Sequence, residues 1–488
     1  MNILRETAGY LPGLQAGDVA WQTLGFEAHG RKLEVAVPCL TDTQATALMD
    51  RVRAASRCYL KSLTVAEIVT TIDKAIARLL DPADPWRQKA DTLLPLVTGY
   101  DAEMVRLGLT GYLKTFRRPQ LQRFLVEDFG NPQLLDDFAP RAKGGFSKAF
   151  GADVAVHVWA GNVPGLCLWS LISGLLVKSG TVGKVASAEP LMAGWMAQLL
   201  VEVDEQLADC LAVVWWEGGN AAQEKVFFSH AELVLAYGGT TALAQVRQHV
   251  PVTTRFLPYG HKLSFGLVAR TALDVRKALK TVQQAAYDVV RYDQQGCYSP
   301  HVFYVERGGR ISPDEFARYL AHELSAFEKK YPRRNLALAE AAALAEWRQT
   351  EEISNLAGTR GTDVADIAGD GTWTVVYNSN LQPLAPGALN RTVRVVAVDQ
   401  LADVIPLLAP HRAFLQTVGV AAAPRELFEL AEQMGRAGVT RICALGQMTS
   451  PEAGWHHDGR FSLLDLVQMV DIESSAEAAA ETLAPYVD

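Results

Sequence analysis

The chain has 488 residues, of which 49% are apolar and 20% charged, and this length is enough for two or three domains with a large core. Its formal net charge of −8, without a long run of Lys and Arg, argues against broad binding to nucleic acid or anionic membranes. Six scattered cysteines and no His cluster indicate neither a disulfide scaffold nor a metal site. Unpaired cysteines are typical of a reducing cytoplasm, where we expect the protein to act.

Residues 41–118 are predicted to be mostly helical, because apolar residues recur every three or four positions. The pattern breaks at residues 82–85 and stops at Pro119. Thr64 and Glu67 have the spacing of a capping box, which marks a helix start. The amino terminus has no apolar core of the kind that a signal peptide needs.

From residue 154 the pattern changes to alternating strands and helices. Strands are predicted over residues 154–159, 181–185, 211–216 and 232–237, with helices over residues 163–177 and 191–207. The first of these helices is almost wholly apolar, but it is shorter than the roughly 20 residues that a membrane span needs, so we interpret it as buried. This repetition predicts an α/β fold with a doubly wound parallel sheet whose ligands gather at the carboxyl ends of the strands.

A second α/β unit follows. It is predicted from strands at residues 263–268, 302–305 and 393–398, and from helices that start at Ser312, cover residues 336–347 and cover residues 424–438. Residues 358–371 are rich in Gly and are predicted to form a loop. We therefore expect a helical segment with a dinucleotide-binding domain over residues 1–262, a catalytic domain over residues 263–450, and a carboxyl-terminal segment over residues 451–488. The last segment is expected to pack on the domains or on a neighbouring subunit.

Cys297 is the most informative residue for function. It follows Gln295-Gly296 in a polar segment and precedes a predicted strand. A free Cys is most often a small buried hydrophobe, which suits Cys167, Cys210 and Cys443 in their apolar runs. Cys297 does not have such surroundings, and a thiolate at the mouth of a pocket is a good nucleophile toward carbonyl carbon if its pKa is lowered.

Asn162 lies in Gly161-Asn162-Val163-Pro164, between a predicted strand and a predicted helix. Its amide is suited to donating a hydrogen bond to a developing oxyanion. On spacing alone, a plain strand-to-helix turn is the better interpretation, because Asn and Pro are common in turns.

Two further strand ends carry candidate cofactor contacts. Lys184 is placed to bond ribose hydroxyls or a ribose phosphate, and Ser187 after it adds no charge, although a solvated Lys is the simpler interpretation. Gly239 and Thr240 open a helix, where small residues and free N–H groups favour a pyrophosphate, yet the same residues are ordinary turn formers. The fingerprint Gly-x-Gly-x-x-Gly is absent from the chain.

Residues 454–460 contain two adjacent His residues, which cannot share one helix face and are poor joint metal ligands. A loop that lines a pocket or interface and an ordinary surface loop are equally consistent with this segment.

The order of these elements resembles the aldehyde dehydrogenase superfamily, and more closely the acyl-CoA reductases of the LuxC type, the fatty-acid reductase component of bacterial bioluminescence. The segments that carry the resemblance are residues 159–164, 259–265, 295–300 and 438–464. It covers the chain from about residue 154 to the end, and the first hundred or so residues match only weakly. Each segment alone is unspecific, whereas the combination is specific.

The resemblance implies a role for each candidate residue. Cys297 corresponds to the nucleophile, and Asn162, with the backbone N–H of Cys297, corresponds to the oxyanion hole. Lys184 corresponds to the contact with the adenosine ribose, and Gly239 and Thr240 to the pyrophosphate site. The implied reaction is reduction of a long-chain fatty acyl-CoA to the fatty aldehyde through an acyl-Cys intermediate.

Three departures from the superfamily pattern sharpen this expectation. Pro258 stands where hydrolytic members carry the Glu that activates water, so an acyl-enzyme should be attacked by water only slowly. Ser187 stands where a Glu often holds a ribose diol, which favours NADPH over NADH. The Glu-x-Phe-Gly-Pro ribose contact is missing, and residues 384–387 are the expected replacement.

Two rival functions stay open on the sequence. One is a short-chain, CoA-acylating aldehyde dehydrogenase that runs in the oxidative direction. The other is an acyl-carrying subunit with little activity alone, which receives its acyl group from an acyltransferase or acyl-protein synthetase. A homo-oligomer is expected by analogy only.

Overall fold

The computed structural model describes residues 3–356 and 371–485. Its amino-terminal part is a small sheet with strand order β1-β3-β2, followed by five helices and a short hairpin. The elements are β1 Ile3–Thr7, β2 Ala20–Ala28, β3 Arg31–Cys39, α1 Asp42–Cys58, α2 Val65–Leu80, α3 Pro85–Thr98, α4 Ala102–Lys114, α5 Arg118–Phe129, β4 Ala139–Pro140 and β5 Phe146–Gly151.

The predicted helical run is confirmed, including the break before α3 and the capping box at Thr64, whose side chain accepts the backbone N–H of Glu67. The predicted stop at Pro119 is wrong. The run ends at Lys114, and Pro119 lies in the first turn of α5, where the missing N–H of proline would have had no helical partner.

A five-stranded, wholly parallel sheet follows, with strand order β10-β9-β6-β7-β8. Its elements are β6 Val154–Val158, α6 Cys167–Leu176, β7 Gly180–Lys184, α7 Met192–Val203, β8 Leu211–Val214, α8 Ala221–Ser229, β9 Leu233–Tyr237, α9 Thr240–His249 and β10 Arg255–Tyr259. All four predicted strands and both predicted helices are present. Helix α6 begins later than predicted, because Gly165 has φ +74° and interrupts the turn before it.

A second parallel sheet has six strands in the order β13-β14-β12-β11-β15-β16. Its elements are β11 Leu263–Val268, α10 Ala278–Val290, β12 Pro300–Glu306, α11 Pro313–Lys330, α12 Leu338–Leu356, β13 Thr374–Asn378, β14 Thr392–Val398, α13 Ile405–Leu408, β15 Leu415–Ala421, α14 Pro424–Ala437 and β16 Arg441–Ala444. The chain then forms β17 Val467–Ile472 and α15 Ser474–Glu481, and β17 pairs antiparallel with β5.

The α/β class, the parallel first sheet and the second α/β unit agree with the sequence prediction, which did not give the strand directions of the second sheet. The predicted loop at residues 358–371 lies, except for Gly371, outside the described residues. Three described strands of the second sheet, β13, β15 and β16, were not predicted, because their short apolar runs lack flanking turn signals that separate them from helix. Within the described ranges, no helix is both long and apolar enough to cross a membrane.

The topology brings distant segments together where the two parallel sheets meet. The segment with Asn162 follows β6, and Gly239 follows β9, the next strand in the same sheet, so both lie at the carboxyl edge where ligand sites form. Cys297 lies between α10 and β12, in the connection that enters the amino end of β12 in the second sheet.

Candidate active site

Cys297 lies in the wall of a cavity of about 350 Å³ between the two parallel sheets. Asn162 and Gly239 line the same cavity, as do Lys262 and His457. Three of the six predicted site residues are therefore brought together. The six came from segments that are up to 135 positions apart in the chain, from Asn162 to Cys297.

A second, narrower cavity of about 90 Å³ also reaches Cys297. Most of its wall is apolar or aromatic, with Trp169, Tyr298 and Trp455 among its lining residues. Cys297 thus lies where a cavity that includes the Gly238-Gly239 turn meets a cavity of aromatic character. A carbonyl group held at this thiol can have its acyl chain on one side and a dinucleotide on the other.

The thiol of Cys297 is protonated at rest. Burial raises its pKa to about 11, while a hydrogen bond from the side chain of Gln416 lowers it and the negative charge of Asp458 raises it. At pH 7 only about one molecule in ten thousand would carry the thiolate. Nucleophilic attack therefore requires that a proton leave the thiol when the substrate binds.

Gln416, Asp458 and Lys262 form a polar network around this thiol. The amide of Gln416 donates to Oδ1 of Asp458 over 2.7 Å, and Nζ of Lys262 lies 3.4 Å from Oδ2 of the same carboxylate. Asp458 has φ +56°, in the left-handed region that non-glycine residues enter at a cost. The backbone is thus held in an uncommon conformation that places the carboxylate between an amide and a cation.

Three histidines also line the larger cavity. Burial lowers the pKa of His457 and of His301 to about 4 each, and it also lowers the pKa of His261. The imidazoles of His457 and His301 are therefore neutral at pH 7 and are weak bases. His457 is stacked on Tyr259 with ring centroids 4.6 Å apart, and it lines both cavities together with Cys297.

Sequence reasoning missed part of this arrangement. The open choice for residues 454–460 is resolved in favour of a loop that lines a pocket, because Trp455 and His457 form cavity walls. Gln416 was not considered, and no local pattern singles it out, since it is the second residue of an ordinary buried strand. Lys262 was noted only as part of the matching segment, without its link to Asp458.

The connection that carries Cys297 has an unusual backbone. Tyr292, Asp293 and Gln294 have φ of +49°, +49° and +62°, so three consecutive non-glycine residues are left-handed. Such a run costs free energy and persists only where the surroundings enforce it. The surroundings here are a second left-handed run, at residues 389–391, which lies against the first.

Buried contacts fix the two runs to each other. Arg391 and Asp293 form an ion pair of 2.7 Å with both side chains only 1% exposed, and Arg391 also pairs with Glu328 over 2.6 Å. The backbone N–H of Thr392 donates to the side chain of Gln294 over 2.8 Å, and that amide donates back to the carbonyl oxygen of Thr392 over 3.0 Å. These contacts determine where the backbone of Cys297 lies.

The side chain of Asn162 is directed at the same connection. Its Nδ2 donates a 2.5 Å hydrogen bond to the carbonyl oxygen of Gln295, and the backbone carbonyl oxygen of Asn162 accepts from the hydroxyl of Tyr100 over 3.0 Å. An amide has two N–H groups, so one remains for an oxygen at Cys297.

The cofactor side has open space where a phosphate group would lie. Gly239 is the N-cap of α9, makes no side-chain capping bond, and has no atom within 4 Å of where a Cβ would be. Thr240 is the first residue of that helix and is exposed. The free N–H groups at this helix start fit the pyrophosphate of a dinucleotide.

Lys184 and Ser187 are not among the residues that line the cavity. Lys184 ends β7 and is buried, with Nζ 6.0 Å from the ring centroid of Trp216. Burial lowers the pKa of this amine, and the negative charge of Glu224 opposes the shift. Ser187 is exposed, and its hydroxyl accepts from the indole N–H of Trp215 over 3.0 Å.

Among the described residues, no carboxylate lines either cavity at Cys297. Pro258, at the position of the missing Glu, has its carbonyl oxygen bonded to Arg460 over 2.9 Å. In residues 384–387, the N–H of Gly387 donates to Nδ1 of His301 over 3.0 Å. This site therefore differs from one in which a carboxylate activates water beside the thiol.

Comparisons with solved structures identify the fold. Solved structures that are similar in fold include the aldehyde dehydrogenase KauB of Pseudomonas aeruginosa, with a TM-score of 0.73 at 13% identity over 96% of each chain. A putative methylmalonate-semialdehyde dehydrogenase of Sinorhizobium meliloti, solved with NAD, has a TM-score of 0.69 at 14% identity over 97% of each chain. The fold is that of the aldehyde dehydrogenases.

Similar sequences show to which family within this fold the chain belongs. A long-chain acyl-protein thioester reductase of Aliivibrio fischeri is 27% identical over 383 residues, which cover 77% of this chain and 75% of that protein. Long-chain acyl-protein thioester reductase 2 of Photobacterium leiognathi is 26% identical over 381 residues, covering 77% and 75%. The family model described as Acyl-CoA reductase (LuxC) matches residues 60–469. The chain therefore belongs to the LuxC family of acyl-CoA reductases, oxidoreductases with the aldehyde dehydrogenase fold.

Proposed function

We propose that this acyl-thioester reductase converts a long-chain acyl-CoA to the aldehyde through an acyl group carried on Cys297, with NADPH as the reductant. The observation that carries the proposal is the position of Cys297 at the junction of two cavities, neither of which is lined by a described carboxylate. A thiol in that position can hold an acyl group while keeping it from rapid hydrolysis.

In the first step, Sγ of Cys297 bonds to the thioester carbonyl carbon and the bond from that carbon to the sulfur of coenzyme A breaks. The thiol proton of Cys297 ends on the departing coenzyme A, so the step is balanced. His457 lines both cavities with Cys297, but its pKa is lowered to about 4, so we assign it no role as a base and propose that the proton passes to the departing sulfur directly.

During attack, the carbonyl oxygen becomes an oxyanion. The free N–H of the Asn162 amide and the backbone N–H of Cys297 are the donors that we assign to it. Asn162 is already held against the Cys297 connection by its bond to Gln295. Preorganised donors of this kind need no rearrangement at the moment of reaction, which is why they are effective.

NADPH, when bound, would supply a hydride to the acyl carbon on Cys297. The bond from that carbon to Sγ would then break, the aldehyde would leave, and the Cys297 thiolate would take up a proton from water. The chain's contribution is to hold this cofactor. Gly239 and Thr240 offer helix N–H groups to its pyrophosphate. Lys184 is the cation that we assign to the adenosine ribose and its phosphate, and uncharged Ser187 does not repel that phosphate.

Among the described residues, no carboxylate lines the two cavities at Cys297, and for the proposal this is as important as the nucleophile. Asp458 is the carboxylate whose charge acts on Cys297, and it is bonded to Gln416 and faces Lys262. Its oxygens are engaged by an amide and a cation, and it lines neither cavity. The acyl-enzyme should therefore persist until a hydride arrives.

The acyl chain length, the source of the acyl group, the oligomeric state and the domain boundaries are also part of the proposal. The long acyl chain is supported by the similar reductases, whose names specify long-chain substrates, and by the aromatic cavity. Delivery of the acyl group by an acyltransferase or acyl-protein synthetase is supported by those names alone. We also propose that the protein is a homo-oligomer. We propose further that the chain divides into residues 1–262, 263–450 and 451–488.

The experiment that tests the proposal compares Cys297→Ser with Cys443→Ser. Cys443 is a matched control, because burial raises its pKa to about 11 as well and it lines neither cavity. We expect Cys297→Ser to lose aldehyde formation from acyl-CoA and NADPH, and Cys443→Ser to keep it. Undiminished activity in Cys297→Ser would overturn the covalent mechanism.

The short-chain CoA-acylating alternative predicts a preference for acetyl-CoA or butyryl-CoA and for NADH. The acyl-carrying subunit predicts no acylation of Cys297 from acyl-CoA without a partner. A series of acyl-CoA chain lengths with both nucleotides separates all three.

A further inference from the structure

The segment that follows β16, residues 445–451, forms part of the wall of the aromatic cavity, and we call it the wall segment. Its residues Thr449, Ser450 and Pro451 line that cavity together with Cys297, and Trp455 lines it a few positions further on. The wall segment is neither helix nor strand, so its position depends on where its backbone N–H and carbonyl groups find partners.

Asp288 of α10 holds the wall segment by its backbone N–H groups. Gly446 donates to Oδ2 of Asp288 over 2.5 Å, and Met448 donates to Oδ1 over 3.1 Å. The carboxylate is fully buried and is not among the residues that line either cavity at Cys297. It therefore contacts the wall segment and not the cavity itself.

The wall segment and the ionised form of Asp288 stabilise each other. Burial raises the pKa of Asp288 to about 7, while hydrogen bonds from three backbone N–H groups and the positive charge of Arg441 lower it. The three N–H groups are those of Gly446, Met448 and Thr449. Hydrogen bonds to the charged form favour that form, so the carboxylate is ionised to the extent that the wall segment stays in place.

Arg441 of β16 holds the same segment by its carbonyl groups. Its Nη1 donates to the carbonyl oxygen of Met448 over 2.6 Å, and its Nη2 donates to that of Gln447 over 2.8 Å. The guanidinium carbon also lies 5.4 Å from the ring centroid of Trp455, in a cation–π contact. One side chain thus fixes the wall segment and packs on a further residue of the cavity wall.

Packing against α10 completes the attachment. Gly446 has φ +81°, and a Cβ there would lie 3.0 Å from Cβ and Cγ of Gln284, so any other side chain would be both strained and crowded. Met448 is fully buried in the same apolar cluster as Val289. Because α10 leads directly into the connection that carries Cys297, one helix positions both the wall segment and the nucleophile.

We infer that Asp288 and Arg441 are positioning residues that set the distance between the wall segment and Cys297, and thereby the fit of the acyl chain. A wall segment without these restraints would make fewer contacts with the chain, because even a narrow gap forfeits dispersion energy. Neither side chain lines a cavity with Cys297, so the inference concerns which acyl groups bind well and leaves the steps at the thiol as proposed. It rests on the proposed function, because the aromatic cavity holds the acyl chain only if Cys297 carries the acyl group.

The first test is steady-state kinetics with NADPH for butanoyl-CoA and dodecanoyl-CoA. We expect Asp288→Asn to raise KM for dodecanoyl-CoA by about tenfold, the effect of losing one hydrogen bond to a charged group, and KM for butanoyl-CoA by less than about twofold. The value of kcat should change little for either substrate, because the groups around the thiol are intact. Arg441→Met should act in the same direction, and Arg441→Lys, which keeps a cationic donor, should restore part of the affinity.

Asp128→Asn is the matched control. Asp128 is also buried, accepts the backbone N–H groups of Leu463 and Leu464 over 2.5 Å and 3.2 Å, and has its pKa raised by burial. Neither Asp128 nor these two leucines line a cavity at Cys297. If Asp128→Asn weakened dodecanoyl-CoA as much as Asp288→Asn does, the effect would be a general loosening of the fold and the inference would be overturned.

The second test does not depend on catalysis. Cys297 is labelled with N-ethylmaleimide or N-hexylmaleimide, the labelled peptide is measured by mass spectrometry, and each rate is divided by that for N-acetylcysteine. We expect the wild type to favour the hexyl reagent, and Asp288→Asn and Arg441→Met to lose most of that preference. Arg441 is only partly buried, so its variants keep the test available if Asp288→Asn fails to fold.

The outcomes separate the two proposals. An unchanged KM for dodecanoyl-CoA in Asp288→Asn and Arg441→Met, or the same reagent preference in the wild type and both variants, overturns the inference and leaves the proposed function intact. Failure of both thioesters to give aldehyde in the wild type overturns the proposed function, and the labelling preference then decides by itself whether the two residues position the wall segment.

Discussion

The side-chain amide of Asn162 donates a 2.5 Å hydrogen bond to the carbonyl oxygen of Gln295, two residues before Cys297. This bond joins the turn after β6 to the connection that enters β12, so that the two sheets meet at the thiol. One N–H of the amide makes this bond, and the other is the donor that we propose for the carbonyl oxygen of the substrate. The predictions below test the consequences of this arrangement.

Replacing Asn162 with Ala should slow acylation of Cys297 by about a hundredfold, because one oxyanion donor is lost. The measurement is the rate of coenzyme A release from acyl-CoA in a single turnover, followed with a thiol reagent. Asn220→Ala is the control, since Asn220 only caps α8. An unchanged rate in Asn162→Ala would show that the amide does not act on the carbonyl oxygen.

Replacing Arg391 with Met should destabilise the protein by about 3–5 kcal/mol, because Asp293 is left buried without its partner. The unfolding free energy in urea is the measurement. Arg425→Met, which removes a highly exposed i,i+4 pair with Glu429, should leave the urea midpoint unchanged. Equal midpoints for the two variants would contradict the account of the two left-handed runs.

The rate at which Cys297 is alkylated should keep rising with pH at values where the rate for an ordinary thiol has levelled off. Its pKa is raised to about 11, so the thiolate fraction and the rate of alkylation by iodoacetamide should increase about tenfold per pH unit from pH 7 to pH 10. An unburied cysteine would level off near pH 8.5. A plateau at pH 8 in the labelling of the Cys297 peptide would contradict a raised pKa.

Two substitutions should shift the pH dependence of Cys297 alkylation in opposite directions. Asp458→Asn removes a negative charge that raises the pKa of Cys297, so alkylation at pH 8 should become faster, and Asn tolerates the left-handed φ at that position. Gln416→Leu removes a hydrogen bond that lowers the pKa, so alkylation should become slower. If both variants were alkylated faster, or both slower, Asp458 and Gln416 would not control the pKa of Cys297 in the way described.

Nucleotide preference should depend on residue 187. Ser187→Glu introduces a carboxylate where the resemblance places the ribose 2′ position, so KM for NADPH should rise by about tenfold or more, and NADH should be affected less. Steady-state kinetics with both nucleotides provide the measurement. If Ser187→Glu raises both KM values equally, the residue does not face the 2′ position.

Some of the site could be predicted from sequence because its signals are local. Gly161-Asn162-Val163-Pro164 and Gln295-Gly296-Cys297 each lie at the end of one element, so residue types and spacing were enough to place them at a strand edge. The same holds for the first parallel sheet, whose apolar strands alternate with helices over a long stretch.

The rest depends on contacts between distant segments. Lys262, Gln416 and Asp458 are separated by more than 40 positions from one another, and only the folded chain brings them to Cys297. The left-handed run at residues 292–294 also has no sequence signal, because Tyr and Gln do not favour this conformation and one Asp between them does not predict a run of three. Burial against Arg391 imposes it.

The most direct test of the central claim is the lifetime of the acyl-enzyme. The protein is incubated with labelled acyl-CoA, freed of excess substrate, and divided into samples with and without NADPH. We predict that the label is found on the Cys297 peptide, persists without nucleotide, and is released as aldehyde when NADPH is added. Release as free acid at the same rate in both samples, or label on another residue, would contradict the account.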